Sequence, residues 1–259
     1  MGSADLAGQY HGNHTPSVAG NDKPSTPYSD AFKALQSGLP LHFIHGQPQL
    51  TAAPRTAHWL LQAKRLTDIV FSVIALVALS PLLVIIALLI KVTSAGPVLF
   101  AQNRDGLNGK EFRMYKFRTL NWGESDISGL KPVKAADPRL TRVGAFLRRT
   151  SFDELPQLFN IILGDMSLVG PRPQVPGMLV GEVRYDELVP YYHMRNKMKP
   201  GLTGWAQANG LRGTVETTEA AKARVDHDLA YIANFSFKLD IKILIWTIWQ
   251  EAVQLGRGT

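Results

Sequence analysis

No cysteine occurs in the 259 residues of this chain. Disulfides and thiolate metal centres are therefore excluded, which suits a reducing compartment. No secretory signal opens the chain, because the first long apolar run starts far too late, and no internal repeat is visible. A compact histidine motif is lacking too. Five of the seven histidines, His11, His14, His42, His45 and His58, are scattered through the first 58 residues without ligand spacing and read as solvated side chains. Acidic residues are the minority, 21 against 28 Lys and Arg, for a formal charge of +7. No nucleic-acid motif accompanies that charge, so a nucleic-acid partner is not expected.

The charge is unevenly placed. Residues 1–58 balance three Lys and Arg against three Asp and Glu; they are rich in Gly, Pro, Ser and Ala, lack periodicity, and read as a disordered or loosely attached tail. Residues 101–150 carry eleven basic residues against five acidic ones. A basic block of this kind beside an apolar segment suits an anionic membrane surface or phosphorylated substrates.

That apolar segment, residues 69–90, reads IVFSVIALVALSPLLVIIALLI and holds no charge over 22 residues, long enough for a membrane helix. Lys64, Arg65 and Asp68 precede it and Lys91 follows, so flanking charge selects no orientation. Ser80-Pro81 stands at its centre, where proline removes a backbone donor and predicts a kink. Two topologies satisfy this pattern: a re-entrant helix that bends at Ser80-Pro81 and returns to its own face, or a kinked span.

Beyond it, residues 98–102 predict a short strand and residues 103–110 a turn. Residues 112–120 alternate apolar and basic side chains, predicting either a strand that presents Arg113, Lys116 and Arg118 or a solvated basic edge. Residues 121–136 read as a loop. Residues 139–150, RLTRVGAFLRRT, predict a basic amphipathic helix suited to a membrane interface or to the protein's own core.

Residues 151–173, SFDELPQLFNIILGDMSLVGPRP, form the centre of the chain. Leu155, Leu158, Phe159, Ile162 and Leu163 predict a helix closed by Gly164, with Asp153 and Glu154 in its first turn. Ser151 and Glu154 fit a capping box, in which both carboxylates merely serve the helix start. The alternative is a compact anionic site: an ionised Asp153 is a competent nucleophile toward phosphorus, and paired carboxylates with a substrate phosphate can hold a hard divalent cation. Arg172 follows between Pro171 and Pro173, able to offer a fork to phosphate. Further on, residues 175–188 predict a polar helix, residues 200–205 a breaker-rich loop, and residues 217–234 a helix carrying His227 in an exposed or structural role. Residues 239–255 predict an apolar-faced helix whose Trp246 and Trp249 suit an interfacial belt.

These pieces together closely resemble the bacterial sugar transferases that start exopolysaccharide and O-antigen synthesis, the small monotopic phosphoglycosyl transferases. The matching motifs are KRLTD at 64–68, the run broken at Ser80-Pro81, GPVLFAQNRDGLNGKEFRMYKFRT at 96–119, DPRLTRVGAFLRRTSFDELPQLFNIILGDMSLVGPRP at 137–173, KPGLTGWAQANG at 199–210 and YIANFSFKLDIKIL at 231–244. The chain departs from many relatives in Phe152, where leucine is usual, and in Asn209-Gly210-Leu211-Arg212, where a shorter Asn-Gly-Arg is usual.

The resemblance implies transfer of hexose 1-phosphate, glucose 1-phosphate by the style of residues 204–214, from a UDP-hexose to undecaprenyl phosphate with release of UMP. It implies Asp153 as nucleophile, Glu154 as its partner, both around Mg²⁺ or Mn²⁺, and Arg172, Arg118, Lys116, Arg148 and Arg149 as phosphate-binding cations. It also implies a mainly α fold with little β: a monotopic protein with a re-entrant helix, interfacial amphipathic helices and a compact core on the cytoplasmic face of the bacterial inner membrane. The expected division is a tail at 1–58, the membrane helix at 59–94 and the catalytic domain at 95–259, with the bilayer and later-acting glycosyltransferases as partners. The competing expectation is a catalytically inactive membrane-anchored scaffold of a polysaccharide assembly.

Overall fold

A computed structural model describes residues 43–44, 47–48, 58–124, 133 and 137–256. The expected tail lies outside the described residues except for His58 and one antiparallel pair, β1 (Phe43–Ile44) with β2 (Gln47–Pro48). Most of the expected loop at 125–136 lies outside them as well. The described part is mainly helical, and its strands come only in pairs.

The apolar run lies within α1 (His58–Thr93), a 36-residue helix that contains Pro81. Proline cannot donate to the carbonyl four residues back, that of Val77. Ser80 fills the gap, its Oγ donating to the Val77 carbonyl at 2.8 Å. A neighbouring hydroxyl that satisfies the orphaned carbonyl is how apolar surroundings tolerate proline in a helix.

The helix inverts the usual order of burial. Val77 is 71% exposed, while Lys64, Asp68 and Ser72 are buried. Lys64 Nζ donates to Asp240 Oδ2 at 2.6 Å, and Tyr231 donates to the other oxygen of Asp240 at 2.7 Å. Asp68 accepts from Ser167 Oγ at 2.8 Å and from the Leu168 amide at 3.2 Å. Arg65 donates to the carbonyls of Ile161 and Ile162, capping the helix that follows the carboxylate pair. The KRLTD motif is thus a polar clamp between α1 and the rest of the chain. Toward the other end of α1, Ile86 and Ile90 pack with Phe117 and Leu147.

An antiparallel hairpin follows, β3 (Leu99–Asp105) with β4 (Glu111–Phe117), in register from Leu99 opposite Phe117 to Asp105 opposite Glu111. Its turn uses Asn108 at φ 55, a conformation that asparagine tolerates. The expected basic helix starts later than periodicity predicts, as α2 (Arg142–Arg149), because Thr141 caps it by accepting from the Gly144 amide at 2.8 Å. Gly144 lies so close to the hairpin's exit that a Cβ there would stand 2.0 Å from the Thr119 carbonyl oxygen.

After α3 (Gln157–Leu163) the chain forms β5 (Ser167–Val169), which pairs in parallel with β8 (Gly201–Thr203). The polar helix expected at 175–188 is corrected: the segment holds β6 (Leu179–Val180), β7 (Val183–Arg184) and only the single turn α4 (Tyr185–Leu188). Gly181 at φ 63 turns the chain there, which a helix would not allow. The last helices are α5 (Trp205–Ala208), α6 (Thr218–Ala233) and α7 (Phe237–Gly256). Ala221, Val225, Leu229 and Ile232 of α6 enter the largest core cluster, as their spacing predicts. His227 is buried in a structural role, its Nδ1 paired with the Ala223 carbonyl oxygen at 2.6 Å.

Candidate active site

The carboxylate pair does not occupy the first turn of an α-helix. Asp153 and Glu154 lie in their own tight turn, Phe152–Glu154, ahead of α3. Pro156 is the reason: without an N–H it cannot bond the Phe152 carbonyl, so α3 cannot extend back through it, and the preceding residues close into i→i+3 bonds instead. Glu154 N donates to the Ser151 carbonyl at 3.1 Å, and Leu155 N to that of Phe152 at 3.3 Å. The capping box is absent too. Ser151 is left-handed, at φ 56 and ψ 13, and its Oγ bonds Glu251 Oε2 at 3.2 Å instead of capping.

Two segments converge on this turn. Lys116 arrives on β4, whose Tyr115 amide donates to Asn160 Oδ1 of α3 at 2.9 Å, while Asn160 Nδ2 donates to the Arg113 carbonyl at 2.7 Å. One buried asparagine thereby fixes the hairpin against the helix behind the dyad. Arg172 arrives after β5, on a segment pressed so tightly against the approach to β8 that a Cβ on Gly170 would stand 2.4 Å from the Lys199 carbonyl oxygen. Glu154 joins these arrivals: Lys116 Nζ donates to its Oε1 at 2.6 Å, and Arg172 donates a fork, Nη2 to Oε1 at 2.5 Å and Nη1 to Oε2 at 3.1 Å.

The two carboxylates consequently differ. Burial works to raise the Glu154 pKa, but the charges of Arg172 and Lys116 overcome it and hold the carboxyl well below the usual range. Asp153 is 6% exposed, and its Oδ2 lies 3.8 Å from Lys116 Nζ, beyond hydrogen-bonding range. Burial raises its pKa above the ordinary 3.8 and the neighbouring cations offset that only in part. Glu154 is an ionised anchor; Asp153 is a buried carboxylate with uncommitted oxygens.

Both border a cleft of about 520 Å³, whose walls include Lys116, Arg148, Arg172, Arg212 and Glu251. Of the expected phosphate-binding cations, Lys116, Arg172 and Arg148 meet here. Arg118 does not. It is buried elsewhere, donating from Nε to the Pro97 carbonyl at 2.6 Å and from Nη2 to that of Ser94 at 3.0 Å, and so ties the hairpin to the end of α1. Arg149 also lies off the cleft, exposed, with its guanidinium over the Phe146 ring at 5.9 Å. Arg118 lies just past the end of β4, where strand alternation no longer carries it to the face of Lys116, and helical spacing in α2 turns Arg149 away from Arg148.

Two cleft residues were missing from the expected set. Arg212 donates to the Gln207 carbonyl at 3.1 Å and pairs with Glu251, which reaches in from α7. A lone acid in the second half of an otherwise apolar helix was the available signal for Glu251.

Among the described residues no group of three or more His, Cys, Asp and Glu could hold a metal ion. The donors here fit a cation held in part by a ligand's phosphate. Glu154 has used three of its roughly four acceptor positions and Asp153 makes no hydrogen bond in this arrangement.

The family model described as bacterial sugar transferase matches residues 59–254. This chain belongs to that family. It is 49% identical over 198 residues to the exopolysaccharide production protein PSS of Rhizobium leguminosarum bv. phaseoli, covering 76% of this chain and 98% of that protein. It is 46% identical over 195 residues to the undecaprenyl-phosphate glucose phosphotransferase of Komagataeibacter xylinus, covering 75% of this chain and 37% of that one. A third family member, the UDP-N-acetylgalactosamine-undecaprenyl-phosphate N-acetylgalactosaminephosphotransferase of Aeromonas hydrophila, is 42% identical over 185 residues, 71% of this chain and 42% of the relative. The chain therefore spans nearly all of the first relative and well under half of the other two.

Proposed function

We propose that this protein transfers glucose 1-phosphate from UDP-glucose to undecaprenyl phosphate, releasing UMP, as the first membrane step of exopolysaccharide synthesis. The observation that carries the reading is the asymmetric carboxylate pair: one member locked by two cations, the other uncommitted and facing a cleft beside an apolar helix. An Asp153 oxygen attacks the β-phosphorus, and the bond from that phosphorus to the oxygen bridging the two phosphates breaks, so that UMP leaves with the electron pair. A phosphoryl oxygen of undecaprenyl phosphate then attacks the phosphorus of the aspartyl-phosphosugar, and the Asp153 carboxylate is released.

An anion attacking a dianionic diphosphate needs compensation. Lys116 and Arg172 supply two positive charges, Glu154 offsets one, and the remaining charge lies beside the nucleophile. Mg²⁺ would be held by Asp153, Glu154 and the diphosphate, and when bound it neutralises phosphate charge. Glu154 keeps the Lys116 ammonium and the Arg172 fork in place before substrate arrives, so little reorganisation is needed.

Location follows the same logic. Residues near both ends of α1 touch one body: Lys64 and Asp68 bond α7 and β5, and Ile86 and Ile90 pack on α2 and β4. That supports the re-entrant reading, since a straight span would carry one end away from the catalytic core. Ile241, Ile245, Ile248 and Trp249 of α7 and Phe146 of α2 are exposed, which suits a monotopic protein on the cytoplasmic face of the inner membrane.

The test is UMP release by purified, detergent-solubilised protein with UDP-glucose, Mg²⁺ and undecaprenyl phosphate, across a panel of UDP-sugars. The panel matters because relatives named for glucose and for N-acetylgalactosamine lie at 46% and 42% identity. Lipid-dependent release that Asp153→Asn abolishes supports the reading. No release from any sugar by folded, membrane-binding protein would favour an inactive scaffold.

A further inference from the structure

Four consecutive carbonyls around Arg172 are each held by a different donor. The Pro171 carbonyl accepts from the Gly201 amide at 2.9 Å, that of Arg172 from Arg195 Nη2 at 2.6 Å, that of Pro173 from Arg104 Nη1 at 3.4 Å, and that of Gln174 from the Asp105 amide at 2.9 Å. Two of the four donors are arginine side chains. Pro171 and Pro173 restrict φ on either side, yet they cannot donate to any neighbour, so the segment depends on donors from outside for its place.

The contact to Arg172 itself is the one built from buried charge. Arg195 is 2% exposed and Asp228 is 1% exposed. Arg195 Nε and Nη2 both donate to Asp228 Oδ2, at 2.9 and 2.5 Å, and the guanidinium lies 5.3 Å from the Tyr192 ring centre. A fully buried ion pair is a poor source of net stability, because desolvation of both charges offsets their attraction. Asp228 Oδ1 even lacks a hydrogen-bond partner. An apolar pair would fill the space as well but could not donate to a carbonyl. What the charged pair adds is one N–H held at the backbone of Arg172.

We propose that Arg195, oriented by Asp228, is a positioning residue that sets the place of the Arg172 fork. Arg195 does not line the cleft; it acts through the Arg172 backbone. The inference rests on the reading that Arg172 binds the donor's phosphate.

The test is a cycle of variants in the full chain, read by UDP affinity, by kcat and KM for UMP release, and by thermal unfolding. Arg172→Ala alone tests the underlying reading and should weaken UDP binding at least tenfold. If it does not, that reading fails and the positioning role falls with it. Arg195→Lys keeps the charge opposite Asp228 but not the two-sided fork, and should raise KM and weaken UDP binding several-fold with little change in unfolding temperature. In the Arg172→Ala background, where no fork remains to be placed, the same substitution should have no further effect on UDP affinity. Wild-type UDP affinity and KM in a folded Arg195→Lys protein, or full additivity with Arg172→Ala, would overturn the proposal. Should Arg195→Lys fail to fold, Asp228→Asn is read in the same way; if neither folds, the pair serves folding alone and the proposal is lost.

Discussion

The start of α1 and the cleft both bury charge, and they do opposite things with it. At the clamp, each oxygen of Asp68 and of Asp240 accepts a hydrogen bond, from Ser167, Leu168, Lys64 and Tyr231. At the cleft, Glu154 is as fully committed, but Asp153 has only a 3.8 Å contact with Lys116. Committed charge holds elements together; the uncommitted carboxylate retains lone pairs and an unfavourable burial that a reaction can relieve. Under the proposed function, the difference separates architecture from chemistry within one fold.

The largest effect belongs to Asp153→Asn. Removing the proposed nucleophile should lower kcat by on the order of 10⁴-fold, about 5 kcal/mol of barrier. Stability should move the other way. The folded pKa of Asp153 is raised above its unfolded value by burial, so the native state binds the proton more tightly, and the contribution of this group to stability falls as pH rises through the folded pKa. At neutral pH the ionised side chain opposes folding, and the amide should unfold at an equal or higher temperature. A lowered unfolding temperature would show that Asp153 is structural. In the wild type, UMP release should decline on acidification with a midpoint above 3.8, because only the ionised form attacks.

Asp68→Ala should do the reverse. It strands the Leu168 amide, leaves the Ser167 hydroxyl only the Val169 carbonyl at 3.0 Å, and removes one carboxylate from the charge cluster around Lys64, at a cost of about 3–5 kcal/mol. Denaturant titration should register that loss while kcat per folded molecule stays near the wild-type value. A rate defect without a stability defect would erase the proposed division.

Arg172→Lys should have a smaller effect, confined to the cleft. The ammonium keeps charge but not the bidentate grip on Glu154, so kcat/KM should fall roughly 10–100-fold, about 1.4–2.7 kcal/mol, with little loss of fold. The smallest effect belongs to Ser80→Ala. Loss of the hydroxyl leaves the Val77 carbonyl without its donor, for about 1 kcal/mol of destabilisation and an unchanged rate, as measured by unfolding and UMP release in parallel.

Much of this fold is legible in the sequence. A run of 22 uncharged residues can only be apolar helix or buried strand, and its length decides for helix. Alternation over residues 112–120 and the turn residues of NRDGLNGK pointed to the hairpin, although β3 runs three residues into the expected turn, to Asp105, and apolar spacing marked the last two long helices. Periodicity failed where local chemistry intervened. Thr141 delayed α2, Gly181 forced a hairpin into an expected helix, and Pro156 split the dyad's turn from α3.

The site divides along the same line. Composition and motif make the groups available: Asp153, Glu154, Lys116 and Arg172 are the chemistry the proposed phosphoryl transfer would use, and no cysteine competes with them. Only the tertiary structure decided their roles. Arg118 and Lys116 are two residues apart on basic ground, yet one is spent on the carbonyls of Ser94 and Pro97 while the other meets Glu154. Asp153 and Glu154 are adjacent in the chain, yet two cations reach one carboxylate and leave the other. Such assignments depend on distances of a few ångströms between segments far apart in sequence, and charge–charge energies in a buried site change steeply over that range.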